Sequence, residues 1–248
     1  MSTTVQPRDA RHGAATIAGP RQAERLGVAE AARYGVLRRL APALKHDMVV
    51  HLQAVAMMAE VLNARLDKGT PDPADLHKRV SQINRLAREA VMACLKVTDW
   101  IQPNSDESVR LCDGVAECVA LQQSSLNFRG FLVRNEVPDG EFEVSRVALR
   151  NLLAASLVTL TDTAPRPCVA LIQAEISSGY ARLSVRRLPR EDTAIPVMAD
   201  LVSFRQLDWS DVQALAACEG VELVRSDELI TMLLPRLVPS SPLQIAPV

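Results

Sequence analysis

Two histidines lie five residues apart in the stretch Leu44-Lys45-His46-Asp47-Met48-Val49-Val50-His51-Leu52. A neutral imidazole is a good nucleophile near physiological pH. A carboxylate beside it can orient the ring or accept its proton, which is the place Asp47 holds next to His46. Lys45, on the other side, could draw a phosphate towards the ring. Residue types in this order point to group transfer through a histidine.

Geometry separates the two rings. Apolar residues at Leu37, Ala41, Leu44, Met48, Leu52, Val55, Ala59, Leu62 and Leu66 step by three and four, which predicts one amphipathic helix from about Ala29 to Leu66. His46 is two residues from both Leu44 and Met48, so it is rotated by about 160° from that stripe and should face solvent. His51 is three residues beyond Met48 and reads as a core or bundle-edge histidine. Pro42, one turn before His46, removes a backbone donor and should kink the helix.

Gly69-Thr70-Pro71-Asp72-Pro73 breaks this helix. A second follows from about Ala74 to Ile101. Its stripe of Leu76, Val80, Ile83, Ala87, Ala90, Cys94, Val97 and Ile101 is a heptad repeat. Two such helices on a short connection should form an antiparallel hairpin. Its leftover apolar surface should pair with a second copy in a four-helix bundle, giving a homodimer.

Residues 1 to about 26 lack apolar periodicity and read as a flexible tail, and residues 238–248 as a Pro-rich one. The hairpin occupies 27–103 and a second domain 104–237. Gln102-Pro103-Asn104-Ser105-Asp106 reads as the linker. The second domain should contain a helix at about Glu107–Gln123 and a strand at Asn127–Glu136. A turn at Pro138-Asp139-Gly140 and a helix at about Ser145–Leu160 follow. Strands Cys168–Ile176 and Tyr180–Leu188 are joined by Ser177-Ser178-Gly179. A helix at about Ser210–Glu219 and strands Val221–Arg225 and Glu228–Pro235 complete it. The fold class is α+β, with helices on a mainly antiparallel sheet.

The segment Leu44–Leu52 resembles the H box of histidine kinases: a His, an acid, an apolar residue, and Leu six positions after the His. Many H boxes have Pro where this chain has His51. Members with phosphatase activity tend to place Thr or Asn where it has Val50, so that route to phosphatase activity is not expected. Leu149–Leu157 aligns with the family's asparagine box, whose magnesium-binding Asn falls on Ala155; Asn151 lies one turn earlier. The family's glycine-containing adenine turn is replaced by Pro189-Arg190-Glu191-Asp192, and Gly220 is the only glycine after Gly179. Close approach of backbone to phosphates needs glycine.

The whole is similar to histidine phosphotransferases of the ChpT type, a degenerate kinase core with a phosphoacceptor hairpin and an ATPase-like domain lacking its nucleotide site. The resemblance covers roughly residues 30 to 237. It implies that His46 takes a phosphoryl group from one receiver-domain aspartate and gives it to another. Asp47 would be the orienting acid and Lys45 would attract phosphate. No cofactor would be bound by this chain, and magnesium would come with the partner receiver. A hybrid histidine kinase is a further candidate partner. The alternative is a pseudokinase scaffold that binds a kinase or receiver without transferring anything.

Composition bounds the rest. The 28 Lys and Arg against 29 Asp and Glu give a net charge of −1, which provides no global field for nucleic acid or an anionic membrane. No apolar run approaches the roughly 20 residues that span a bilayer. Five scattered cysteines (Cys94, Cys112, Cys118, Cys168, Cys218) without a CxxC pair read as buried small side chains in a reducing compartment, and the expected location is the cytoplasm.

Overall fold

The computed structural model describes residues 20–69, 72–102, 107–190 and 205–237. Two long helices come first, α1 (Pro20–Leu66) and α2 (Pro73–Ile101). Next come β1 (Ser108–Arg110), α3 (Leu111–Phe128), β2 (Leu132–Glu136), β3 (Glu143–Ser145) and α4 (Arg146–Asp162). The chain then forms β4 (Val169–Ile176), β5 (Tyr180–Leu188), α5 (Trp209–Glu219), β6 (Glu222–Arg225) and β7 (Leu229–Pro235). The five-stranded sheet has the order β2-β4-β5-β7-β6, with β2 parallel to β4 and the other pairs antiparallel. β1 and β3 form a separate antiparallel pair.

Alternation makes the sheet one-sided. On β5, Ala181, Leu183 and Val185 are buried while Arg182 and Arg186 are exposed; on β7, Ile230, Met232 and Leu234 are buried. The buried face meets α4, which is buried along almost its whole length from Ala148 to Thr161, with only Asn151 half exposed. Helix α4 is therefore the centre of the domain, enclosed by the sheet and by other helices. Cys118 of α3 belongs to this core, where burial, with Glu117 adding to it, pushes its thiol up to about 12.

Several boundaries differ from the sequence expectation. Helix α1 begins at least by Pro20, so residues 20–26 are helical rather than tail. It continues through Pro42 to Leu66, the end expected from the sequence. Residues 108–110 form β1, not the start of a helix, because they pair with residues 143–145. Helix α3 continues to Phe128, so the strand expected from Asn127 starts only at Leu132. The expected tails at 1–19 and 238–248, the linker residues 103–106 and Asp192 lie outside the described residues.

The larger difference is in α1. Its buried residues Ala29, Ala32, Val36, Leu40 and Leu44 belong to the same core as α3, α4 and α5. The first half of α1 thus packs on the α/β domain, and the line drawn between hairpin and domain at residue 103 does not separate their cores. Only the second half of α1 belongs purely to the hairpin with α2. There the packed side is formed by Met48, His51, Val55, Met58 and Leu62, while Leu52, Ala59 and Leu66 are exposed. The contact face is rotated by roughly 40° from the predicted stripe. On α2, Leu76, Ile83, Ala87, Ala90, Cys94 and Val97 are packed as expected, but Val80 and Ile101 are exposed.

Ion pairs fasten α1 to the domain. Arg39 Nη2 lies 2.5 Å from Asp162 Oδ2, and Arg129 Nη2 lies 2.8 Å from Asp162 Oδ1. All three side chains are close to fully buried. Nearly two turns earlier on α1, Arg33 donates to Glu219 of α5 at 2.8 Å.

Candidate functional site

His46 sits where the two roles of α1 meet. Leu44, two residues before it, is the last α1 residue buried in the domain core, and Met48, two residues after it, is the half-buried start of the hairpin contact, which His51 continues. His46 itself is exposed, as are Lys45 and Asp47. The angular argument from sequence therefore places both histidines correctly: one outward, one on the packed side.

Asp47 does not stay beside His46 only. Its Oδ1 lies 3.7 Å from His51 Nε2, one turn along the same helix. That i,i+4 spacing brings side chains together on a helix face, whereas adjacent residues diverge by about 100°. Asp47 and His51 line a cleft of 370 Å³ with Arg85, Arg88, Glu89 and Lys96 of α2.

His46 opens on a different space. A groove of 1010 Å³ runs between the hairpin and the α/β domain. The hairpin contributes His46, Asp47, Lys96, Asp99 and Trp100. The domain contributes Glu117 and Phe128 from α3 and Arg146 and Arg150 from the start of α4. Leu44, Val97 and Leu121 give it apolar walls. Phe128 is 75% exposed, an unusual position for a large aromatic in a chain with so few. The two arginines are paired in place: Glu117 Oε1 lies 2.5 Å from Arg150 Nη2, Glu117 Oε2 lies 3.3 Å from Arg146 Nη1, and Glu107 Oε1 lies 3.0 Å from Arg146 Nε. Arg150 also stacks over Trp100, 5.1 Å from the ring centroid. Lys45, proposed from sequence as the phosphate attractor, lines neither space.

Lys96, Asp99 and Trp100 escaped sequence reasoning because the heptad on α2 drew attention to its apolar residues. The available signal was Trp100, one of only two tryptophans, at the end of that helix beside two charged residues.

The segment Leu149–Leu157 lies within α4. Ala155 is wholly buried in the core, and its methyl group has no oxygen to offer a metal. Asn151 donates through Nδ2 to Glu219 Oε1 at 3.3 Å, the same carboxylate that receives Arg33. These side chains do not fit a magnesium–nucleotide site. Among the described residues, no group of three or more His, Cys, Asp or Glu converges as metal ligands, and no helix is long and apolar enough to cross a membrane.

No family model and no curated protein matches the chain. Solved structures do resemble it. The histidine kinase ThkA in complex with the response regulator protein TrrA aligns over 90% of this chain and 68% of that chain, at 15% identity and a TM-score of 0.40. A histidine kinase from Burkholderia phymatum aligns over 81% of this chain and 96% of that chain, at 16% identity and a TM-score of 0.39. A bacterial phosphotransferase aligns over 80% of this chain and 95% of that chain, at 16% identity and a TM-score of 0.35.

Proposed function

We propose that this protein relays a phosphoryl group between receiver-domain aspartates through His46. The observation that carries the assignment is the exposed His46, set in its H-box-like segment and lining a groove between hairpin and domain. Transfer of this kind needs in-line placement and charge neutralisation more than covalent machinery. A receiver would bring its own magnesium. The buried Ala155 and the engaged Asn151 support a chain that takes its phosphate from a partner rather than from ATP. A hybrid histidine kinase is one source of that partner receiver.

The relay would work as a homodimer. Val80, Val91 and Leu95 are exposed and fall within about 60° of one another on α2, a face suited to a second copy. A reducing cytoplasm is the compartment that suits the five free cysteines.

The test is labelling from phosphorylated receivers. H46Q should keep the melting temperature and lose labelling, because the side chain is exposed and makes no core contact. H51Q, on the packed side, should lower stability first. Labelling that persists in H46Q and disappears in a folded H51Q protein overturns the assignment.

One observation favours the scaffold alternative: Asp47 reaches His51 and so shares its charge away from His46. If no receiver labels either histidine, the H-box segment is a docking face for a kinase or receiver.

A further inference from the structure

We propose that Lys96, on α2, is the cation that holds the phosphoryl group carried by His46. The proposal rests on the relay assignment above and names a residue that its sequence motif does not contain.

Lys96 and His46 line the same groove, and Lys96 also lines the smaller cleft with Asp47 and His51. It therefore stands at the junction of both spaces. Lys45 is next to His46 in sequence but about 100° away around the helix. The other cations of the groove are Arg146 and Arg150; both are held by Glu117, and Arg146 also by Glu107. Among the described residues no carboxylate lies within ion-pairing distance of Lys96, which is exposed.

Charge makes the consequence specific. Lys96, Arg146 and Arg150 face Asp47, Asp99 and Glu117 across the groove, three cations against three anions. With Glu107, which also pairs with Arg146, the set is already negative before phosphate arrives, and without Lys96 it is more so. In the transfer step the lone pair of a neutral His46 ring nitrogen attacks the phosphorus of an aspartyl phosphate. The P–O bond to the carboxyl breaks, and its electron pair leaves with the aspartate as a carboxylate. The product is an N-phosphoryl imidazolium that keeps the proton on its other nitrogen. Total charge is conserved. The dianionic phosphoryl oxygens then lie beside Asp47 and Asp99, and Lys96 is the group positioned to offset them. It moves no proton.

Phosphoramidate is the probe, because it phosphorylates histidine without a partner protein: the ring nitrogen attacks phosphorus, the P–N bond breaks and ammonia leaves. The full chain is labelled and His46 is followed by peptide mapping at neutral pH. K96Q should slow His46 labelling by roughly 10–100-fold, the range for removing one charge-stabilising group near a surface. K96R should restore most of the rate, and K45Q should stay within about twofold of wild type. Added salt should slow the wild type more than K96Q. All variants should melt with the wild type. K96Q labelled at the wild-type rate, the loss appearing in K45Q instead, or a wild-type His46 that phosphoramidate does not label would each overturn the proposal. If phosphoramidate labels His46 with this dependence on Lys96 while no phosphorylated receiver does, Lys96 is retained and the relay assignment falls.

Discussion

Asp162→Ala tests whether α1 is anchored to the α/β domain as the packing indicates. Asp162 ends α4 and accepts from two guanidinium groups, Arg39 of α1 at 2.5 Å and Arg129 at 2.8 Å. Its own side chain is 9% exposed and that of Arg129 is 8% exposed. At an effective dielectric near 20, a pair of charges about 4 Å apart is worth about 4 kcal/mol. Removing the shared carboxylate abolishes that attraction and leaves the buried Arg129 charge without its partner. Loss of one member of a buried pair costs about 3–5 kcal/mol. For a chain of this size, roughly 2–4 °C per kcal/mol places the melting temperature roughly 6–20 °C lower. Urea unfolding at fixed protein concentration gives the free energy directly, and concentration must be fixed because self-association would add to apparent stability. Asp162→Asn keeps the shape and one acceptor and should fall between the two. Glu219→Gln is the contrast: its partner Arg33 is 41% exposed, so the cost should stay under about 1 kcal/mol. If Asp162→Ala and Asp162→Asn both lie within about 1 kcal/mol of wild type, the cluster is not desolvated and the anchoring of α1 rests on the apolar contacts of Ala29–Leu44 and the Arg33–Glu219 pair.

Asp208 caps α5 in a capping box with Asp211, and its hydrogen bonds to Ser210 and to backbone hold its carboxyl below the usual range. The stabilisation is present above its unfolded value and is lost as pH falls through the lower folded one. Asp208→Ala should therefore cost about 1 kcal/mol at pH 7, and the deficit against wild type should close only below about pH 4, as read by urea midpoints across pH. Leu95→Glu and Val91→Glu, both on the exposed α2 face, should leave the fold intact and give monomers by light scattering at micromolar concentration, where the wild type should be a dimer. Ile83→Glu, at a packed position, should unfold the hairpin instead. A monomeric wild type would exclude the bundle.

The sheet and its helices were legible because their signals are local. β5 and α5 fall at their expected positions to within one residue, since alternation in Ala181–Val185 and the stop at Gly220 (φ 66°) are fixed by neighbours in sequence. The β1–β3 pair was not legible: three residues each, held by pairing across more than 30 positions, carry no period of their own. The facing of His46 was readable from helix geometry, whereas the Asp47–His51 contact required i,i+4 reach to outweigh sequence adjacency. The groove was invisible in principle. Its walls come from α1, α2, α3 and α4, and only tertiary packing brings Lys96 to the space that His46 faces.

The doubled role of α1 bears on the transfer proposed for His46. A group that must meet an in-line phosphoryl donor needs a fixed position but an open approach. Two residues before His46, Leu44 is buried with the domain core; two residues after it, Met48 packs in the hairpin. The backbone at 46 is thus held from both sides, while its side chain, rotated away from both contacts, remains exposed. A histidine further along α1 would lie in the hairpin alone, whereas the first half of α1 packs on the core of the α/β domain. On this helix, rigidity of the main chain and access to the ring coincide over about one turn, and His46 is the histidine that lies in it.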